Sequence, residues 1–492
     1  MKRKLFAVVV LSVLAWVLMS AQPAPKHEST TTLDGTWLGA LTVPGGSMRI
    51  VFNIKTDSSG ELTATLDSPD QGAKGIPVSR AAIQGERVGL EVSSVNGMFL
   101  GTWDGKDEIK GEWKQSGMTF PLTLKRTDRV EEPKRPQTPK PPFPYSSEDV
   151  TVKSSDGTTL AGTLTLPPTK EPCPAVLLVT GSGPENRDEE IFGHKPFLVI
   201  ADYLTRRGIA VLRMDDRGVG KSKGDFKTAT EKDFVDDALA GVEYLKGRKE
   251  INRGAIGILG HSEGGIIAPR AAIRSKDVAF IILMEGPGVT GERILLTQTA
   301  LIMKAMGIGQ ATIDKNLKTN KEIFAVIKAE SDDKIAEKKV ADLLKKDIPG
   351  TGALDAEKRK ALEARADVQA KATVTQWFRE FIAFDPATAL KKVKCPVLAT
   401  GGSLDLQVPA DENLAAIAKA LKEAGNKDVT IKKFEGLNHL LQPAKTGLMS
   451  EYPKIETTIS PNVLKLFGDW ILERYHPCKP FGKSTARGSD EK

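Results

Sequence analysis

Between residues 33 and 127 apolar and polar positions alternate in short runs, GTWLGALTV, MRIVFNIKT, ELTATLDS, VGLEVSS, MFLGTWDG, EIKGEWKQ and TFPLTLKR. Turn signals separate them at Asp57-Ser58-Ser59-Gly60, Asn96-Gly97 and Asp104-Gly105. A period of two suits strands with one buried face, and short Gly-containing breaks suit hairpins. The pattern predicts about seven strands in a small all-β barrel or sandwich. Trp37, Trp103 and Trp113 each follow a glycine closely, as if a recurring strand points a large ring inward. Few inward positions are polar, so the interior reads as packed, with a lipocalin-like ligand cavity as the alternative.

Residues 128–147 are rich in proline and mark a semi-rigid linker. From residue 148 the periodicity changes. Residues 150–152 and 160–166 flank Asp156-Gly157 as a hairpin, and 175–180 (AVLLVT) form the continuous apolar run of a strand buried on both faces. Helical stripes at Phe197, Ile200, Ala201, Leu204 and at Phe234, Ala238, Val242, Leu245 then alternate with apolar runs at 209–214, 256–259 and 278–284. Such alternation builds a parallel sheet whose ligand site lies at the carboxyl ends of the strands. About a hundred Lys-, Ala- and Glu-rich residues, 291–388, interrupt it with helices at 334–346 and 356–371, far more than a crossover needs. Because a strand resumes at 396–400, this segment reads as a helical cap over the site.

Residues 255–267, AIGILGHSEGGII, contain the sharpest local signal. An apolar strand runs into Gly260-His261-Ser262-Glu263-Gly264, and a small-residue helix follows, which is the strand–turn–helix setting of a nucleophilic serine. The helix start turns its free N–H groups toward the serine, making the Glu263 backbone N–H a candidate oxyanion donor. A serine hydroxyl needs a base, and the base a buried acid. His27 and His476 lie near the ends, His261 is read as a packing residue beside the serine, and His194 falls in a loop that could rim the pocket. His439, in a loop after the apolar run 429–434, is the base. Asp405, in the loop GGSLD that leaves the strand near 395–400, is the acid, with Asp411 inside the next helix as the alternative. The second oxyanion donor is the backbone N–H of Ser182, in the loop after 175–180.

Composition narrows the class. Hydrophobic and charged shares of 40% and 27% are those of a globular protein, and 492 residues suggest two domains plus an insertion. Residues 1–21 have a basic start, an apolar run and small residues at Ser20 and Ala21, which reads as a secretory signal cut near Ala21-Gln22; an uncleaved anchor is the alternative. No cysteine follows that run, which argues against a lipid anchor. Loss of Lys2, Arg3 and Lys4 takes the formal charge from +7 to +4. The excess is spread over Lys-rich helices without interleaved aromatics, which argues against a nucleic-acid site. Three cysteines make no disulfide framework, and Cys173 and Cys395 read as buried strand-start residues. Residues 22–32 and 481–492 read as disordered. There is no metal-ligand cluster or phosphate loop, so no cofactor and no metal are expected, and the oligomeric state is not legible.

Four motifs, GHSEGG, DDRGVGKS (from Asp215), GGSLDLQVP and GLNHLLQ, in this order and spacing, resemble the esterase/lipase and serine-aminopeptidase-like branch of the α/β-hydrolase superfamily over residues of about 148–476. The resemblance implies an α/β-hydrolase fold, a mostly parallel sheet flanked by helices with a helical cap, preceded here by the small β domain, which lies outside the resemblance. It implies a triad of Ser262, Asp405 and His439 and a structural role for Arg217. TGSGP lacks the His-Gly of many relatives at the oxyanion loop. The expected function is a secreted or periplasmic serine hydrolase that cleaves carboxylic esters of small or medium acyl chains through an acyl-serine. A serine aminopeptidase and a ligand-binding module on an inactive fold are the alternatives. Trp377, Phe378, Phe381 and Phe384 cluster at helical spacing, either roofing an acyl pocket or packing the cap. Glu285 is an acidic candidate near the pocket mouth, either a structural hydrogen-bonding group or a captor of a substrate amino terminus.

Overall fold

The computed structural model describes residues 32–476 apart from 44–45, 116–117, 170, 347 and 349–355. The expected signal at 1–21, the polar stretch 22–31 and the tail 481–492 lie outside the described residues.

Alternation builds the first sheet: β1 (Gly35–Val43), β2 (Gly46–Thr56), β3 (Leu62–Ser68), β4 (Ala73–Pro77), β5 (Arg80–Gln84), β6 (Arg87–Val92), β7 (Gly97–Trp103), β8 (Glu108–Gln115) and β9 (Met118–Thr127). These are nine strands, not seven, because AKGIP and RAAIQ each add a short edge strand too brief to show a period. They form one antiparallel sheet in the order β4-β3-β2-β1-β9-β8-β7-β6-β5, curled into a half-barrel. In β8 the alternate residues Ile109 and Trp113 point inward. With Trp37, Phe52, Leu90 and Phe99 they fill the concave side, so this face is a packed core. Trp103 packs against this core from its margin: it is only half-buried, and its indole donates to the Lys106 carbonyl at the strand end.

The linker is fastened along the second domain. The Arg135 guanidinium donates to the carbonyls of Phe192, Pro453 and Ile455, and Gln137 is bonded to Thr458 and Ile459.

The second sheet contains β10 (Ser146–Lys153), β11 (Thr159–Leu166), β12 (Cys173–Val179), β13 (Ala210–Met214), β14 (Ile251–His261), β15 (Phe280–Met284), β16 (Val397–Gly402) and β17 (Val429–Phe434). Its order is β10-β11-β13-β12-β14-β15-β16-β17, antiparallel only at the β10, β11 and β13 edge. The helices are α1 (Pro196–Arg206), α2 (Glu231–Lys246), α3 (Gly264–Arg274), α4 (Gly291–Ala305), α5 (Gln310–Ala329), α6 (Asp333–Lys345), α7 (Ala356–Thr373), α8 (Gln376–Ala383), α9 (Ala387–Leu390), α10 (Ala410–Glu423) and α11 (Pro461–Arg474). Side chains of α2, α3 and α10 cover one face of the sheet, and those of α1 and α11 the other. This is why β12 and β15 are apolar without alternation. Helices α4 to α8 form the insertion, whose core of Ile323, Phe324, Ile327 and Phe381 packs on Ile266 of α3. None of the described helices is long and apolar enough to cross a membrane. Cys173 is buried as expected, but Cys395 is only half-buried; it precedes the strand it was expected to start.

Candidate active site

The site lies at the carboxyl ends of β12, β14, β15 and β16, where strand tips stop and loops begin. At the end of β14 the chain reverses into α3 with Ser262 at φ 52°, a conformation non-glycine residues rarely adopt. A Cβ on Gly260 would lie 2.0 Å from the Gly264 carbonyl oxygen, and one on Gly264 2.4 Å from that of Val179. Only glycine lets the strand, the turn and the neighbouring strand approach so closely. Ser262 Oγ sits 3.1 Å from His439 Nε2, and His439 Nδ1 donates to Asp405 Oδ2 at 2.7 Å. Asp405 accepts two more bonds through Oδ1, from the N–H groups of Gln407 (2.7 Å) and Val408 (2.9 Å). Asp411 stays on the surface in an ion pair with Lys433.

Glu285, at the tip of β15, is turned inward and 1% exposed. One of its oxygens accepts the Gly402 N–H at 2.7 Å, and its carboxyl bonds Asp405. Burial and the charge of Asp405 hold Glu285 well above the usual carboxylate range, so it keeps its proton and donates to Asp405. Burial acts to raise Asp405 as well, but His439, this proton and the Val408 N–H outweigh it and leave Asp405 below the ordinary value. Glu285 therefore buttresses Asp405 and offers nothing to the pocket mouth. Glu285, Asp405 and His439 each place one ligand atom within 4.8 Å of the others, a spacing that would also suit a cation. The hydrogen bonds among them account for it.

Among the described residues, neither the Ser182 nor the Glu263 backbone N–H has an intramolecular acceptor. Gly181 sits against the serine, a Cβ there lying 3.3 Å from that of Ser262, but its own N–H is bonded to Glu189. The Glu263 side chain is wholly buried, and burial pushes its carboxyl up to about 7. It accepts the Trp377 indole N–H at 2.7 Å and the Ser182 hydroxyl. Trp377 stacks on Phe381 (centroids 5.3 Å apart) and Phe378 leans on Phe324 (5.9 Å). These rings therefore pack the cap and pin it beside the serine.

Two histidine expectations are corrected. His194 does not rim the pocket: it is 0% exposed, with Nδ1 bonded to the Thr458 hydroxyl and Nε2 to the Tyr452 carbonyl, and burial pushes it down to about 4. It joins two loops whose contact no local pattern announces. His261 does more than pack. Its Nδ1 lies 2.7 Å from Glu189 Oε1 and its Nε2 donates to the His439 carbonyl at 3.0 Å. Glu189 has no motif of its own; its acidic type and its place just after the oxyanion loop are the only hints in the chain. Arg217 holds Asp237 through two bonds and Asp156 through a third, tying two loops and α2 together.

Residues 195–443, slightly more than half of the chain, match the family described as serine aminopeptidase, S33. The chain belongs to this family of α/β-hydrolases. Esterase EstD of Thermotoga maritima is 29% identical to this S33 chain over 300 residues, 61% of each sequence, so the chain spans about three fifths of that relative's length. The uncharacterized protein YfhR of Salmonella typhimurium is 27% identical over 124 residues, 25% of this chain and 40% of its own. Among solved structures, the esterase Pf2001 of Pyrococcus furiosus is similar at 17% identity and a TM-score of 0.42, covering 70% of this chain and 99% of its own.

Proposed function

We propose that this S33-family chain is a serine hydrolase that cleaves carboxylic esters of small or medium acyl groups through an acyl-Ser262 intermediate. The observation that carries the reading is the continuous relay Ser262 Oγ, His439, Asp405, with contacts of 3.1 and 2.7 Å. In this reading the Ser262 hydroxyl gives its proton to His439 Nε2 as Oγ attacks the ester carbonyl, and Asp405 stabilises the imidazolium that results. The developing oxyanion is received by the free N–H groups of Ser182 and Glu263. His439 then returns the proton to the leaving alkoxide. Water, activated by the same base, attacks the acyl-serine and releases the acid.

Ester rather than peptide cleavage is favoured because an aminopeptidase needs an acid free to hold the substrate's ammonium, and the carboxyls of Glu285 and Glu263 are already engaged. Glu285 faces Asp405, and Glu263 faces Trp377 and Ser182. The similarity to EstD, a protein named as an esterase, supports the same choice. Matched aryl ester and aminoacyl anilide substrates test it. The expected result is a much larger kcat/KM on the ester with fluorophosphonate labelling at Ser262; equal or greater efficiency on the anilide would replace this reading with an aminopeptidase.

A further inference from the structure

The serine and its base stand on separate loops, and the chain offers a second histidine–carboxylate pair between them. Nothing in the relay itself uses His261 or Glu189, yet both are buried, at 4% and 3% exposure. A carbonyl oxygen can only accept, so the bond from His261 Nε2 to the His439 carbonyl requires a proton on Nε2. Nδ1 then faces Glu189 Oε1, which also accepts the Gly181 N–H at 3.2 Å. One carboxylate oxygen therefore ties the oxyanion loop to the residue before the serine, and that residue ties down the backbone of the base. The two imidazoles lie 4.9 Å apart, centre to centre.

The pair is itself supported. Glu189 holds φ at 52°, a strained conformation that persists where surrounding contacts over-determine it. Its Oε2 and Glu185 Oε2 are both buried with no other partner, and the two carboxyls bond each other. Burial and the neighbouring charges of Glu189 and Asp216 push Glu185 up to about 10, so Glu185 supplies the shared proton. Full burial works against a charged His261, and Glu189 outweighs it, so the ring's affinity for a second proton is raised.

We propose that Glu189 and His261 form a positioning dyad that sets the His439 loop and the oxyanion loop against Ser262. The proposal rests on the hydrolase reading above. A base displaced by about an ångström loses on the order of a hundredfold in rate, while substrate binding is untouched. Side-chain reach separates the two bonds of His261. In His261→Gln the amide falls near the position of Nε2 and can still donate to the His439 carbonyl, whereas in His261→Asn it falls near Nδ1 and cannot.

The test measures kcat and KM of the full chain on a short-chain aryl ester. His261→Asn and Glu189→Ala should each lower kcat about 10- to 100-fold with KM within about twofold, and His261→Gln and Glu189→Gln should recover most of the loss. The double variant His261→Asn/Glu189→Ala should be no worse than the poorer single one, because the two act as a unit. Wild-type kcat in the single variants, loss confined to KM, or additive losses would overturn the dyad. If Glu189→Ala does not fold, the order of His261→Gln over His261→Asn decides alone. Wild-type protein that turns over no ester sinks the hydrolase reading instead. The dyad is then judged by the downfield His261 N–H resonances in proton NMR, which Glu189→Gln must shift if it is real.

Discussion

Replacing Trp377 by Phe removes one hydrogen bond between the cap and the residue after Ser262 and leaves the rest of the contact in place. Trp377 stacks on Phe381 at 5.3 Å and 13°, a contact a phenyl ring can also make, while the 2.7 Å bond to Glu263 Oε1 is lost. Burial pushes the Glu263 carboxyl from 4.5 up to about 7, against the pull of the Trp377 and Ser182 donors. A folded-state value above the unfolded one means that the folded protein keeps a proton the unfolded chain has released. This group's contribution therefore falls as pH rises from about 4.5 to about 7, by roughly 3 kcal/mol. Without the indole donor the ionised form is worse off, the folded value climbs further, and the extra penalty opens at the alkaline end. The variant should lose about 1 kcal/mol where Glu263 is protonated and about 1.5–3 kcal/mol where it is charged. Urea unfolding followed by far-UV circular dichroism at about pH 5.5 and about pH 8 reads the difference, with every other titrating group cancelling between wild type and variant. In a Glu263→Gln background the pH dependence of the Trp377→Phe penalty should vanish. An equal penalty at both pH values, or a pH dependence that survives in that background, would refute the argument.

Ser262→Ala and His439→Ala should each reduce ester turnover by about a thousandfold or more, and Asp405→Asn should leave a small residue of activity, all read from kcat. Glu285→Gln should keep near-wild-type kcat, since an amide can accept from Gly402 and donate to Asp405. Glu285→Ala should cost about 1–3 kcal/mol in urea unfolding, as it strips Gly402 and Asp405 of a buried partner; a selective loss of anilide turnover in Glu285→Gln would return Glu285 to the role of substrate captor. Amino-terminal sequencing of the protein exported by a Gram-negative host should begin at Gln22, and an intact amino terminus in the membrane fraction would support the anchor reading.

Much of the architecture is written in local periodicity. A strand buried on both faces must be apolar throughout, so AVLLVT announces a central strand; a curled sheet with one filled face must alternate, so EIKGEWKQ announces Ile109 and Trp113 as inward residues. The elbow is legible for a steric reason, because only glycine fits where the Gly264 carbonyl oxygen comes within 2.0 Å of a Cβ on Gly260. Chain order and loop position bring Asp405 and His439 into view, since each stands just beyond a strand end. What the periodicity cannot carry is the identity of partners brought together from distant loops. Glu285 and Asp405 meet because β15 and β16 are neighbours in the sheet, and Glu189 reaches His261 because the loop after β12 folds over β14. His194 is drawn inward by Thr458 and Tyr452, more than 250 residues away in the chain. Hydrophobic pattern is a one-dimensional property set by the face a residue must bury. The partner of a buried charge depends on which oxygen and which nitrogen the finished fold leaves within three ångströms, and that distance exists only once the whole sheet has been assembled.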